Sequence, residues 1–310
     1  MKNLPKIAMG AWAWGDTDGY FGNTMTGEEF RPIFEAAVNA GLNLWDTATA
    51  YSNGESERIL GKLVNDAGRE KIIVSTKFTP QMAGMYGDSV VKMCEASLER
   101  MNMEYFDIYW IHNPIGAPEY TKQLIPLLQS GKVKSVGVSN HNLAQIKEAD
   151  EILKAAGYRV SAVQNHYSLL NRSSEESGIL DYCKANDIVF YGYMTLEQGA
   201  LSGKYDAEHP FPEGSARAKV FNPMMKQIEV VTAELKKVAE AHGVSAAQIA
   251  TAYAVNKGAL PILGVTKMYQ VEEVVKTADI VLTTEEVASL EAAADKSGVS
   301  SIQFWESKME

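Results

Sequence analysis

The sequence predicts an α/β fold, a single (β/α)₈ barrel, from three observations. Short apolar runs alternate with longer amphipathic stretches along the 310 residues, and eight such runs can be counted. No G-x-G-x-x-G pattern follows the first run, where an open doubly wound sheet normally carries one. The length is typical of a barrel with a few insertions. We therefore expect one domain over residues 1–310.

The eight candidate strands share a composition that fits burial on both faces. Each is too short for a helix, is rich in β-branched or aromatic residues and lacks polar alternation. The runs are residues 6–11, 42–46, 72–77, 106–112, 133–139, 161–164, 188–193 and 260–264.

The stretches between the strands carry apolar residues at three- and four-residue spacing, as amphipathic helices do. Gly41, Gly131 and Gly157 follow predicted helices, where a left-handed cap favours glycine. The connection over residues 203–223 has three prolines and is long enough to form a functional lid. Residues 284–310 predict a helix and a tail, with the aromatic pair Phe304–Trp305 packing over the barrel.

Composition narrows the class of protein. The net charge of −10 leaves no basic stripe for nucleic acid. Nothing in the chain predicts a signal peptide or a membrane span, so we expect a soluble, cytoplasmic protein. Cys94 and Cys183 fall in predicted helices as buried thiols. No close histidine spacing and no C-x-x-C occurs, so no metal site is expected.

Three ionisable residues end three consecutive predicted strands: Asp46, Lys77 and His112, with Tyr51 in the loop after the first. Taken singly, each has an ordinary structural explanation: a helix cap, a solvated lysine or a core histidine. In a barrel, however, all strand ends lie on the C-terminal rim, where the chemistry of such folds is found. Burying an aspartate and a lysine is costly unless they pair, which favours a site.

The four side chains also suggest a mechanism. A free tyrosine has a pKa of about 10 and donates its proton reluctantly at neutral pH. The charge of Lys77 can stabilise the phenolate of Tyr51, while Asp46 holds Lys77 in place. His112 can orient a substrate oxygen, so that a proton donor stands beside a carbonyl.

These motifs resemble the aldo-keto reductases over nearly the whole chain. D-T-A-T-A-Y ends at Tyr51, S-T-K-F surrounds Lys77 and I-H-N-P surrounds His112; further similar segments are G-K-V-K-S-V-G-V-S-N, V-Q-N-H-Y-S-L-L, Y-M-T-L-E-Q-G-A-L-S-G-K-Y and I-L-G-V-T-K-M-Y-Q-V-E-E-V. The resemblance implies a barrel that binds an extended nicotinamide dinucleotide and reduces aldehydes or ketones, with Asp46, Tyr51, Lys77 and His112 as the catalytic tetrad.

The resemblance also implies a set of cofactor-binding residues. Ser139, Asn140 and Gln164 would bind the nicotinamide carboxamide, Tyr193 would stack on its ring, Leu196, Gly199 and Lys204 would line the diphosphate, and Arg217, Gly264, Thr266, Lys267, Gln270 and Glu273 would surround the adenosine half. Met194, Val274 and Gln270 depart from the family's usual serine, asparagine and arginine. NADPH is expected over NADH because Lys267 and Arg217 can meet a 2′-phosphate. If both are merely solvated surface charges, NADH remains possible.

The substrate pocket is predicted to have aromatic walls with few charges, which suits a neutral or weakly polar carbonyl compound. Its candidates are Trp12, Trp14, Tyr20, Phe21, Tyr86 and Asn113, although Trp14 and Phe21 could instead pack within a loop. Two other functions stay open: a non-catalytic cofactor-binding regulator, and a lyase that forms a Schiff base on Lys77.

Overall fold

The computed structural model describes residues 4–17, 19–22, 25–303, 306 and 309. Within these residues, eight parallel strands pair in sequence order and close on themselves, since β8 also pairs with β1. The predicted (β/α)₈ barrel is confirmed, whereas the predicted packing of Phe304–Trp305 lies outside the described residues. The strands are β1 (Ala8–Gly10), β2 (Leu44–Asp46), β3 (Ile73–Phe78), β4 (Phe106–Ile111), β5 (Val133–Ser139), β6 (Ala162–His166), β7 (Val189–Tyr193) and β8 (Leu260–Gly264).

Helices fill the connections between strands, and two more follow the last strand. They are α1 (Gly27–Asn39), α2 (Glu55–Ala67), α3 (Val90–Met101), α4 (Ala117–Lys122), α5 (Leu124–Gln129), α6 (Leu143–Lys154), α7 (Ser173–Glu176), α8 (Ile179–Ala185), α9 (Ala216–Phe221), α10 (Met225–His242), α11 (Ala246–Asn256), α12 (Met268–Thr277) and α13 (Thr284–Ser297). Shorter 3₁₀ segments lie at Tyr51–Gly54, Arg69–Lys71, Pro80–Tyr86, Glu197–Ser202 and Asn222–Met224. Along the described residues, none of the helices is both long and apolar enough to cross a membrane.

Polar residues define several helix starts. At α6, the side chain of Asn142 accepts from the backbone N–H of Gln145, whose side chain accepts from the N–H of Asn142. Ser245 and Gln248 cap α11 in the same reciprocal way, which satisfies amides that a helix leaves unpaired at its N-terminus.

Inside the barrel, alternate strand residues form a small apolar core separate from the larger one under the helices. Its buried members are Ala8, Leu44, Ile108, Trp110, Ala162, Tyr191 and Leu260. Because side chains two apart share a face of a strand, the next inward positions are Asp46, His112, Gln164 and Tyr193. The inner core therefore forms the floor beneath the polar residues of the C-terminal rim.

Candidate active site

The four predicted catalytic side chains meet at the C-terminal rim. Asp46 ends β2, Lys77 is the penultimate residue of β3, His112 follows β4 directly, and Tyr51 begins the 3₁₀ turn after β2. Lys77 Nζ donates to the Tyr51 hydroxyl at 3.3 Å. The rings of Tyr51 and His112 lie edge to face with centroids 6.0 Å apart.

Lys77 is fully buried and paired with Asp46. Its Nζ donates to an Oδ of Asp46 and, at 2.8 Å, to the carbonyl of Thr47. Asp46 also accepts from the Ser75 hydroxyl and, at 3.4 Å, from Gln164 Nε2. Burial acts to lower the pKa of Lys77, but the charge of Asp46, together with Tyr51 and the hydrogen bonds to both side chains, more than offsets it, so the pKa is raised. Lys77 is therefore charged at neutral pH, as a buried lysine can be only beside a partner.

The pKa of Tyr51 differs in direction from the sequence-based expectation. Burial raises it above its ordinary value, and the charge of Lys77 offsets only part of that rise. Tyr51 is thus a neutral phenol with its proton in place. The charge of Lys77 acts to lower the pKa of Tyr51, as predicted, but burial of the hydroxyl raises that pKa by more.

His112 is held as a neutral imidazole. Burial, with a smaller contribution from the charge of Lys77, lowers its pKa to about 3. Its Nδ1 lies 3.0 Å from the hydroxyl of Thr79. Its backbone carbonyl accepts from Asn140 Nδ2 at 3.0 Å, which ties the end of β4 to that of β5.

A cavity of about 1020 Å³ extends from this tetrad along the rim to α12. Asp46, Tyr51 and His112 line it, while Lys77 lies beneath. The predicted cofactor-binding residues all line the same cavity: Ser139, Asn140, Gln164, Tyr193, Leu196, Gly199, Lys204, Arg217, Gly264, Thr266, Lys267, Gln270 and Glu273. Their contacts with a cofactor stay predictions.

The cavity's chemistry fits an extended dinucleotide. Lys204, Arg217 and Lys267 bring positive charge to the part of its lining away from the tetrad, which suits phosphate groups. Among the described residues, Arg217 Nε and Gln198 Oε1 are buried polar atoms without a hydrogen-bond partner. Such atoms are costly unless a ligand or water satisfies them.

The loop after β7 contacts the loop after β1 across the cavity. Gln198 Nε2 donates to the Tyr20 hydroxyl at 3.0 Å, and an Nη of Arg217 lies 3.5 Å from the carbonyl of Phe21. The predicted long connection over residues 203–223 contributes Arg217 on α9 to this closure, so part of it is helical.

Three of the six predicted pocket residues, Trp12, Phe21 and Asn113, line the cavity. The prediction for Trp14 is wrong, because its ring is fully buried against Phe30 with centroids 4.6 Å apart and its Nε1 donates to the carbonyl of Val265 at 2.8 Å. Tyr86 lies outside the lining and accepts from Arg100 at 3.2 Å. Tyr20 also lies outside, stacked behind Trp12 at 5.3 Å.

Several lining residues were not predicted from the sequence. Met25, Gln81 and Met82 complete the wall near Tyr51, and Gln81 accepts from Asn113 Nδ2 at 2.7 Å. At the other end, Ser245 and Gln248 from the start of α11 face the cavity. The S-x-x-Q capping pattern predicts a helix start there, but not which loop that start will face.

Comparison with known proteins agrees with this geometry. A family model described as the aldo/keto reductase family matches residues 6–295. A chloroplastic pyridoxal reductase of Arabidopsis thaliana is 30% identical over 97% of this chain and 86% of its own length. An aldo-keto reductase of Alternaria alternata is 31% identical over 86% and 82%. The solved glycerol dehydrogenase of Gluconobacter oxydans is 26% identical, with a TM-score of 0.81 over 98% of this chain and 96% of that one. This chain belongs to the aldo/keto reductase family.

Proposed function

We propose that this protein is an NADPH-dependent reductase of aldehydes or ketones in which Tyr51 is the proton donor. The observation that carries the proposal is the arrangement of Tyr51 between a buried, charged Lys77 and a neutral His112 on the wall of the cavity. A single domain over residues 1–310 and a cytoplasmic location stay predictions.

When bound, the nicotinamide cofactor supplies a hydride to the carbonyl carbon. The chain's part is to hold the carbonyl oxygen and give it a proton. Tyr51 donates its phenolic proton to that oxygen, and the resulting phenolate is stabilised by Lys77, 3.3 Å away. We assign the hydrogen of neutral His112 to Nε2, because the Thr79 hydroxyl can donate to Nδ1. An Nε2–H then donates to the same carbonyl oxygen and orients it toward Tyr51.

A Schiff-base lyase is a weaker explanation of the same residues. Amine attack on a carbonyl needs a neutral lysine, whose pKa is lowered by desolvation or by a neighbouring cation. The pKa of Lys77 is instead raised beside Asp46, and its Nζ is occupied by Asp46, Thr47 and Tyr51.

The substrate end of the cavity favours a neutral carbonyl compound with a flat or apolar body. The Trp12 ring stacks near-parallel to that of Tyr51 with centroids 5.8 Å apart, and Phe21 meets Trp12 edge-on. The Gln81–Asn113 amide pair adds hydrogen-bonding groups without charge. Two relatives are named for pyridoxal and glycerol, so an aromatic aldehyde and the ketone of a small polyol belong in the substrate panel.

The first test compares NADPH oxidation by the wild-type protein and Tyr51→Phe with that panel. Loss of the proton donor should lower kcat by roughly 10²- to 10⁴-fold while NADPH still binds. Tyr86→Phe is the matched control, because Tyr86 lies outside the cavity lining and its hydroxyl contacts Arg100. Unchanged turnover in Tyr51→Phe would exclude the assigned role.

The second test concerns the choice of NADPH over NADH. Lys267→Ala should weaken NADPH binding by roughly tenfold, the effect of one lost charge-assisted contact of about 1.5 kcal/mol, and leave NADH binding unchanged. Lys276→Ala is the control, since it removes an exposed cation of α12, the helix that begins directly after Lys267, and Lys276 does not line the cavity. Equal use of NADPH and NADH, unaffected by Lys267→Ala, would refute the preference.

A further inference from the structure

A buried group of charges lies directly behind Tyr193. His166, the last residue of β6, has its Nε2 2.8 Å from Glu197 Oε1 and its Nδ1 2.9 Å from Glu306 Oε2. The three side chains are at most 2% exposed. We call His166, Glu197 and Glu306 the carboxylate–histidine cluster.

The cluster contains two glutamate side chains and one histidine. Burial acts to lower the pKa of His166, but Glu197 and Glu306 raise it to about 10. Hydroxyl groups of Ser168 and Ser301 donate to Glu197. Even so, Glu197 Oε2 is buried without a partner among the described residues. The cluster therefore holds one more acidic group than basic groups in a low-dielectric environment, where a charge acts over a longer distance than in water.

Tyr193 connects the cluster to the cavity. Its ring stacks on that of His166 with centroids 5.5 Å apart and an interplanar angle of 28°. Its hydroxyl lies 2.6 Å from both Glu306 Oε1 and Asn140 Oδ1. Tyr193 lines the cavity, whereas none of the three cluster residues does. The ring thus separates the cluster from the space in front of it.

We propose that Glu306, paired with His166 behind Tyr193, makes this end of the cavity favour the positively charged, oxidised nicotinamide over the neutral, reduced one. The inference rests on the proposed function, because it needs the nicotinamide to lie against Tyr193. Glu306 acts through Tyr193 and is a positioning residue. Its charge stabilises the ring as positive charge develops on it, which makes the reduced cofactor a stronger hydride donor.

The experiment measures the dissociation constants of NADP⁺ and NADPH separately, by calorimetry, so that it needs no turnover. Glu306→Gln keeps the side-chain length and removes the charge, and it should raise the Kd ratio of NADP⁺ to NADPH by roughly threefold to tenfold, as expected for one partly screened unit charge. Glu306→Asp keeps the charge but shortens the link, so both constants should rise together while their ratio stays near that of the wild type.

Glu291→Gln provides the matched control. Glu291 lies on α13 and accepts from the Tyr253 hydroxyl and Lys257 at 2.8 and 3.0 Å, so the substitution removes a similarly paired carboxylate outside the cavity lining. It should change neither constant.

The outcomes separate this inference from the proposed function. If Glu306→Gln weakens the binding of NADP⁺ and NADPH equally, Glu306 only anchors the chain near residue 306. That result would overturn this inference and leave the proposed function intact. If the wild-type protein binds neither cofactor, the proposed function fails and the inference with it.

Discussion

Replacing Asp46 by asparagine would test the electrostatic basis of the site. The substitution removes the charge that balances Lys77 and leaves a fully buried ammonium beside the Tyr51 hydroxyl and the Thr47 carbonyl. Breaking a buried ion pair in this way typically costs about 3–5 kcal/mol of unfolding free energy. Asparagine is nearly isosteric, so packing should change little.

The proton on Lys77 sets an upper bound for that cost. In the folded variant, Lys77 can lose its proton. This deprotonation costs about 1.4 kcal/mol for each pH unit below the unfolded pKa of about 10.4, which is about 4.6 kcal/mol in total at pH 7. At pH 9 the same release costs only about 1.9 kcal/mol. The loss of stability should therefore shrink as the pH rises.

The sign of this pH dependence follows from proton binding. In the wild type, the folded pKa of Lys77 is raised above 10.5, so its stabilising contribution is complete below that value and lost only above it. In Asp46→Asn, burial without the counter-charge lowers the folded pKa, so the unfolded state binds more protons and stability rises with pH. The difference between the two proteins is then largest near neutral pH.

Urea unfolding of both proteins at several pH values between 7 and 9 measures the effect. Glu57→Gln is the control, because Glu57 is a fully buried carboxylate paired with Arg100, whose guanidinium keeps its proton throughout. The loss of unfolding free energy caused by Glu57→Gln should therefore not vary with pH. kcat of Asp46→Asn should also fall by roughly 10²-fold or more, since a neutral Lys77 no longer stabilises the phenolate of Tyr51.

A loss for Asp46→Asn below about 1 kcal/mol, the range of an exposed pair, would refute the reasoning. So would a loss that stays constant between pH 7 and 9, because it would mean that Lys77 keeps its proton without Asp46.

Two further predictions concern the barrel interior and the buried histidines. Gly137→Ala should lower the unfolding free energy by about 1–3 kcal/mol or more, because its Cβ would lie 2.4 Å from Trp110 Cε3 and 2.7 Å from the carbonyl of Ala162. In the urea assay, Gly84→Ala is the control, because nothing lies within 4 Å of its added Cβ. If the Gly137→Ala and Gly84→Ala variants were equally stable, the close packing of Gly137 against Trp110 would be contradicted. Neither His112, with a pKa of about 3, nor His166, with a pKa of about 10, should titrate between pH 5 and 8. Nuclear magnetic resonance of the ring protons checks this, and a midpoint near 6.5 in either residue would contradict it.

The sequence by itself determined the order of the barrel's strands and the content of its rim. Parallel strands buried on both faces are predominantly apolar, so the run 260–264 stands out and coincides with β8. A polar residue that closes such a run must lie at the strand's C-terminal end. The positions of Asp46, Lys77 and His112 on one rim therefore follow from the sequence.

Only the tertiary structure decided which loop residues face the cavity. Trp12 and Trp14 are two residues apart in one loop, yet Trp12 lines the cavity while Trp14 folds beneath it to reach the carbonyl of Val265. Aromatic character is the same in both, and the difference depends on a hydrogen bond to a residue 251 positions away.

The balance between burial and charge was likewise decided by the fold. The charge of Lys77 near Tyr51 could be expected from sequence, but the larger effect of desolvation on the pKa of Tyr51 depends on the packing of the rim. The carboxylate–histidine cluster joins residues 31 and 140 positions from His166. No local periodicity records such contacts, because they form only when the strand ends and the chain near residue 306 meet in space.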